Sequence, residues 1–338
     1  MYSNSSPRVP SRDGTPVEAG GRAPSSTRPK REKQRLRTVS AAVATILLGV
    51  TPGHAAATPL PVPYSLTALV TASLTATPPY NPPGANDWGC IPSAEHPRPV
   101  VLVHGLSGNA ENSWQTYAPL LANEGYCVFA LTYGVYPGES GPLAGIGGRR
   151  PIIESSSELA AFVAQVRRAT KADQVDIVGW SEGTLVTAGY LQFDGGAESV
   201  DKVVSLAPLW AGTAIAGAPH SYPFDVNAAL APACAACADL LTGSDFINRL
   251  QASGVYSPQP HYTNIVTTAD LQVQPYSSGI RDAANATNIV LQDICPINLS
   301  GHLSMSVDPT VAALVLQALD PSAVRRIPCA ASEAPPGT

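Results

Sequence analysis

The sequence predicts an α/β protein in which a mainly parallel sheet carries helices on both faces, with a small cap. Three observations lead there. Short runs rich in Val, Ile and Leu alternate with helical stretches along most of the chain. A G-x-S-x-G pentapeptide falls directly between one such run and the helix that follows it. A histidine comes after the last run and before the last helix.

Taken in order, Pro99-Val-Val-Leu-Val103 reads as a buried strand ending at His104-Gly105. Trp114 to Glu124 reads as a helix and Cys127 to Tyr133 as the next strand. A Gly-rich loop, Tyr136 to Arg150, precedes an amphipathic helix from Ser155 to Ala169, whose Leu159, Phe162, Val163 and Val166 recur at helical spacing. Val175 to Val178 is a strand, Glu182 to Leu191 a helix, and Val200 to Leu206 a strand again. The stretch 207–245 is rich in Ala and Pro without a period, and its place after a core strand suggests the cap. A short helix ends at Gln251; His261 to Thr267 and Asn288 to Gln292 are two further strands, and Pro309 to Leu319 is the last helix.

The 57 residues at the start differ in kind. A long basic region ending in Arg28-Pro-Lys30-Arg31-Glu-Lys33-Gln-Arg35-Leu-Arg37 leads into the apolar run Val39 to Val50 and then Ala55-Ala56-Ala57. That order is a secretory signal peptide over 1–57, cleaved near Ala57, which predicts a secreted protein. The apolar run falls well short of the roughly 20 residues needed to span a bilayer, so stable membrane insertion is not expected. An N-terminal extension, 58–74, is mostly irregular and Pro-rich, as is the chain up to 97, and one catalytic domain follows over 75–338. Without residues 1–57 the chain keeps 11 basic and 22 acidic residues, a poor balance for binding nucleic acid or an anionic membrane. All six cysteines, Cys90, Cys127, Cys234, Cys237, Cys295 and Cys329, lie beyond residue 57. An even count in an exported chain favours disulfides. Cys234-Ala-Ala-Cys237 also has the spacing of a redox pair or half a zinc site, but nothing in the sequence supplies the other half.

The chemistry centres on Gly179-Trp180-Ser181-Glu182-Gly183. Between a strand and a helix this pentapeptide is a nucleophile elbow, in which glycines permit a sharp turn that lifts the serine above the sheet. A serine hydroxyl attacks only when a base takes its proton, and the α/β-hydrolase fold orders its groups as Ser, then Asp or Glu, then His. His220, His261 and His302 follow Ser181, and only His302 sits between the last strand and the last helix. Asp270 follows the strand 261–267 and is the expected acid, with Asp293 and Asp308 as alternatives nearer His302. An oxyanion needs two donors: the backbone N–H of Glu182 is one, and the loop Val103-His104-Gly105-Leu106 should supply the other. His104 reads as a loop-holding residue. Trp180, beside the serine, is expected to wall the alcohol side of the substrate pocket.

These residues resemble the class 2 triacylglycerol lipases of bacteria and, beyond them, fungal lipase B. The likeness runs from about Asn86 to Leu319 and is most specific in Thr-Thr-Ala-Asp270 with Val273-Gln-Pro275, in Val203 to Gly217, and in Asp293-Ile-Cys295 through Gly301-His302. It implies Ser181, Asp270 and His302 as a triad, and Leu106 and Glu182 as oxyanion donors. It also implies disulfides Cys90–Cys127, Cys295–Cys329 and Cys234–Cys237, and for Trp180 a place in the alcohol pocket. The family often has threonine at Leu106, whose hydroxyl is a third donor, and Gln or Met at Glu182. The reaction expected is hydrolysis of lipid or other carboxylic esters through an acyl-enzyme, by a monomer with no metal or organic cofactor. Short-chain esters, polyesters, acyl transfer to an alcohol, and an inactive hydrolase-like binding protein are the other readings.

Overall fold

The computed structural model describes residues 58–214 and 232–331. Among the described residues six strands form one sheet: β1 (Val100–Val103), β2 (Val128–Leu131), β3 (Val175–Trp180), β4 (Val200–Leu206), β5 (His261–Val266) and β6 (Ala286–Val290). Neighbours are parallel throughout, in the order β2-β1-β3-β4-β5-β6. Successive strand residues point to opposite faces, and every residue of β1, β2 and β3 is buried, so both faces there are covered. The α-helices among the described residues are α1 (Leu66–Thr75), α2 (Ala110–Ser113), α3 (Tyr117–Asn123), α4 (Ile152–Thr170), α5 (Glu182–Phe193), α6 (Ala235–Asp239), α7 (Asp245–Ser253), α8 (Leu291–Ile294) and α9 (Pro309–Leu319). This is the expected α/β-hydrolase architecture.

The chain steps from β1 to β2 on one side and returns to β3 on the other, so the direction of winding reverses between β1 and β3. In open parallel sheets ligands bind outside the carboxyl ends of the strands at such a reversal. The loop after β1 and the turn after β3, which carries Ser181, both emerge there.

The elements depart from the sequence reading in informative places. Helix α1 lies inside a stretch expected to be irregular. Ser65 caps it by accepting from the Thr67 N–H, but only Ala72 is buried while Val70 and Leu74 are exposed, so its residues show no core-facing stripe. Residues before it are tied to α3 and its N-cap: Thr116 Oγ1 donates to the Pro63 carbonyl at 2.6 Å, and Asn123 exchanges two 2.8 Å bonds with the backbone of Leu60. The helix expected over 114–124 is shortened to α3, and a separate turn of helix, α2, precedes it, started by a capping box of Asn109 and Asn112. Strand β6 ends at Val290 rather than 292. The Gln292 side chain turns inward instead, donating to Thr267 Oγ1 and the Asn298 carbonyl and accepting from the Thr268 N–H.

Of the 207–245 stretch, residues 215–231, with His220, lie outside the described residues, as does the 1–57 segment. Its described end forms α6, which docks on the loop before α4 through Ala236 N–H to the Arg149 carbonyl at 3.2 Å. Asp239 accepts from the Ile152 N–H at 2.9 Å, on the other side of that contact. The disulfides are Cys90–Cys127, Cys234–Cys237 and Cys295–Cys329, the pairing that the resemblance implied. No described helix is long and apolar enough to cross a membrane. Among the described residues no three His, Cys, Asp or Glu side chains cluster as a metal site would require.

Candidate active site

Ser181 joins β3 to α5 with φ 55° and ψ −125°, a conformation that non-glycine residues adopt only when their surroundings impose it. Its N–H donates to the Leu206 carbonyl at 2.9 Å, and its own carbonyl accepts from Thr184 N and Thr184 Oγ1. The glycines of the pentapeptide are sterically required. A Cβ on Gly183 would lie 2.1 Å from the Val103 carbonyl oxygen and 2.5 Å from that of His104; one on Gly179 would lie 3.0 Å from the Gly183 carbonyl oxygen. The elbow thus lets α5 press its first turn against the end of β1.

His302 comes to Ser181 from the loop between α8 and α9. Its Nε2 lies 2.8 Å from Ser181 Oγ, and its Nδ1 lies 2.8 Å from Asp270 Oδ2. Asp270 and His302 are both buried. The second carboxylate oxygen of Asp270 accepts from the N–H groups of Gln272 and Val273, each at 2.8 Å, which fixes the plane that faces the imidazole. With a carboxylate at Nδ1, the ring proton sits on that nitrogen and leaves Nε2 free to accept from the serine. The loop that carries His302 is held from several sides. Trp180 Nε1 donates to the His302 carbonyl at 3.2 Å, Tyr117 donates to the Met305 carbonyl at 2.7 Å, and Thr267 Oγ1 donates to the Ser300 carbonyl at 2.7 Å.

The alternative acids stand elsewhere. Asp308 caps α9 with Oδ1, accepting from Thr310 and Val311, and its Oδ2 accepts from Asn298 Nδ2 and Ser300 Oγ. Asp293 is exposed in α8, and His261 is exposed at the start of β5.

The loop after β1 also reaches the serine. A Cβ on Gly105 would lie 3.1 Å from Ser181 Cβ, so the Gly105-Leu106 turn faces the nucleophile. Among the described residues nothing accepts from the N–H of Leu106 or of Glu182. His104 holds this loop: Nδ1 donates to the Gly105 carbonyl at 2.8 Å, Nε2 accepts from the Tyr133 N–H, and the ring stacks on Tyr133 at 4.2 Å. Burial pushes its pKa down to about 4, outweighing the bond to Gly105, so the ring is neutral near pH 7. Tyr133 adds a 2.6 Å bond to the His104 carbonyl. Sequence reading missed this brace, because the two residues are 29 positions apart and a tyrosine at a strand end carries no motif.

Trp180 is buried, with its ring centroid 5.8 Å from that of His302. Its polar edge is bound to the backbone of the residue that contacts Ser181, a role its position in the pentapeptide did not announce.

A family model for class 2 lipases matches residues 97–314, which hold all of these groups. The chain belongs to the class 2 lipase family. Two triacylglycerol lipases, from Pseudarthrobacter phenanthrenivorans and Burkholderia plantarii, are each 31% identical to it over 128 residues. That segment is 36% of this chain and only 33% and 29% of the respective relatives, so the likeness spans about a third of their length. Among solved structures, Aspergillus fumigatus lipase B superposes with a TM-score of 0.55 at 20% identity, covering 71% of this chain and 55% of that one. A mature Bacillus licheniformis lipase does so with a TM-score of 0.50 at 16% identity, covering 68% and 94%. At these identities the superpositions speak to the fold of this class 2 lipase, which they share.

Proposed function

We propose that this class 2 lipase is a secreted hydrolase of carboxylic esters, acylglycerols first among them, working through an acyl-enzyme on Ser181. The observation that carries the reading is the continuous line of 2.8 Å contacts from Asp270 through His302 to the hydroxyl of a serine held at an elbow. In this mechanism His302 Nε2 takes the Ser181 proton as Oγ attacks the ester carbonyl. Asp270 stabilises the imidazolium that forms, and the imidazolium returns the proton to the leaving alcohol. Water, deprotonated by the same nitrogen, then releases the acid and restores the serine. The negative oxygen of each tetrahedral intermediate is held by the N–H groups of Leu106 and Glu182. Leu106 has no hydroxyl, so the hole works with two donors, and no step calls for a metal or organic cofactor.

The acylglycerol assignment draws on the triacylglycerol lipases that the chain resembles. It is tested by a hydrolysis profile over p-nitrophenyl esters of rising chain length together with emulsified triolein, for wild type and Ser181→Ala. The wild type should hydrolyse the esters and triolein, and Ser181→Ala should lose about three or more decades in kcat. Turnover of the short esters alone would make it an esterase, and no turnover by folded protein would remove the enzymatic reading.

A further inference from the structure

Glu182 follows the nucleophile and opens α5, yet its side chain is fully buried. The carboxyl meets a glycine corner: a Cβ on Gly148 would lie 3.1 Å from Glu182 Oε2, and 3.2 Å from both the Gly105 carbonyl oxygen and Leu106 Cα. The corner is itself fixed, since Gly148 N–H donates to the Tyr133 carbonyl at 2.7 Å and Gly147 N–H to that of Gly108 at 2.8 Å. The carboxyl, the Gly105-Leu106 turn and the end of β2 therefore converge behind Ser181. The ionisable groups that bear on Glu182 are the Tyr133 hydroxyl and Asp239 of α6, with Glu158 of α4 acting on Tyr133 from beyond; none is a cation. Burial pushes the carboxyl well above the usual carboxylate range; Tyr133 beside it pulls the other way without cancelling this, and Asp239 adds to the rise.

The geometry gives a reason for the proton that is independent of burial. The Tyr133 hydroxyl has already given its hydrogen to the His104 carbonyl, at 2.6 Å. What it can offer Glu182 is a lone pair, which a carboxylate cannot use and a carboxylic acid can. Neither carboxyl oxygen has a hydrogen-bond partner among the described residues, so nothing there satisfies a carboxylate, and a bond to Tyr133 is one the carboxyl must supply with its own proton.

We propose that Glu182 is a positioning residue: as an uncharged acid it donates to Tyr133, which donates to the His104 carbonyl. This two-bond chain ties the Gly105-Leu106 turn to the first turn of α5. It rests on the reading above, in which the N–H groups of Leu106 and Glu182 receive the oxyanion, and it explains how donors from two elements keep one geometry. An ionised carboxylate in this place would leave a buried charge without a partner and set it beside the oxyanion as that forms.

The test has a spectroscopic and a kinetic arm. Infrared difference spectra of wild type minus Glu182→Gln at neutral pH should show the C=O stretch of a protonated carboxyl; a carboxylate band in its place would overturn the proposal. For a soluble ester, Glu182→Leu and Tyr133→Phe should each lose about tenfold to a hundredfold in kcat with little change in KM, as displaced catalytic groups do. Glu182→Gln, whose amide can still donate to Tyr133, should recover most of the Glu182→Leu loss. The double variant Tyr133→Phe/Glu182→Leu should be no slower than the worse single. Fully additive losses, or no recovery with glutamine, would refute the chain of bonds. Should Glu182→Leu fail to fold, the infrared arm and Tyr133→Phe still decide. Full activity in Ser181→Ala would sink the hydrolase reading instead, and the infrared band would stand or fall by itself.

Discussion

Replacing Asp270 with asparagine separates the acid's role in orienting His302 from its role in holding the loop. One carboxylate oxygen accepts two backbone N–H groups, from Gln272 and Val273, and the other faces His302 Nδ1. An asparagine must turn its carbonyl to those two N–H groups, since an amide NH2 there would oppose two donors. The NH2 then points at Nδ1, which becomes an acceptor, and the ring proton moves to Nε2, facing Ser181 Oγ. In that tautomer the imidazole cannot take the serine proton, and kcat should fall by about four decades. The backbone bonds survive, so unfolding free energy should change by only about 1 kcal/mol. Asp308→Asn should behave in the opposite way. Three of the four groups around Asp308 are fixed donors and the fourth is the Ser300 hydroxyl, which can reverse, so even with its carbonyl on the two backbone N–H groups the amide opposes Asn298 Nδ2 in a buried place, at a cost of about 1–3 kcal/mol. Neither Ser181 nor the His302 ring is bonded to it, so the catalytic loss should be small. The assay is kcat on a soluble ester together with urea unfolding for both variants. A catalytic loss in Asp308→Asn matching that of Asp270→Asn, or an active Asp270→Asn, would refute the assignment.

Three further outcomes are expected. Gly183→Ala must move its new methyl by about 1 Å from the Val103 carbonyl, prising the elbow from β1; a loss of about 1–3 kcal/mol in stability and about a hundredfold in kcat should follow, and a variant unchanged in both measurements would contradict the packing argument. Asp176, at the far end of β3, has its carboxyl pushed up to about 6 by burial, against the pull of Lys202 and Arg98. The folded pKa lies above the unfolded one, so this stability is present below about pH 4 and lost as pH rises through about 6; a shift of about two units makes it roughly 3 kcal/mol. The stability of wild type relative to Asp176→Asn, from urea unfolding, should decline by that amount across the window, and a constant difference would exclude the linkage. Trp180→Phe removes the N–H bound to His302 while keeping a ring, and should lower kcat several-fold with the enantiomer ratio for a secondary-alcohol ester little altered. Trp180→Ala should change that ratio by about 1–3 kcal/mol of discrimination; if both enantiomers slow in proportion, the indole does not wall the alcohol side.

The legible part of this molecule is what a parallel sheet makes local. Val100–Val103, Ile177–Val178 and Val203–Val204 are apolar where both faces of the sheet are covered, and these runs stand out in the sequence for that reason. In a parallel sheet every strand delivers the residue after it to the same edge. Ser181 follows β3, Asp270 follows β5 and the His302 loop follows β6, so order along the chain translates directly into a shared site. Helix α1 was not legible because a helix lying on α2 with its Val70 and Leu74 exposed needs no stripe toward the core.

The choice among three aspartates marks where that translation stops. Asp270, Asp293 and Asp308 all lie within reach of His302 by sequence, and residue type does not separate them. They differ in where their lone pairs go. Those of Asp308 are taken by a helix cap and two side chains, Asp293 faces solvent, and only Asp270 has one oxygen fixed by backbone N–H groups and the other turned to the imidazole. The same limit applies to Trp180 and Tyr133. Each has a polar atom directed at a backbone carbonyl, of His302 in one case and His104 in the other, 122 and 29 residues away along the chain. A carbonyl has no sequence signature, so bonds of this kind leave no pattern to read. Strands and elbow bring the reacting groups to one edge, while side chains bound to backbone set how closely they meet, and it is in this second layer that substitutions far from Ser181 should act on rate.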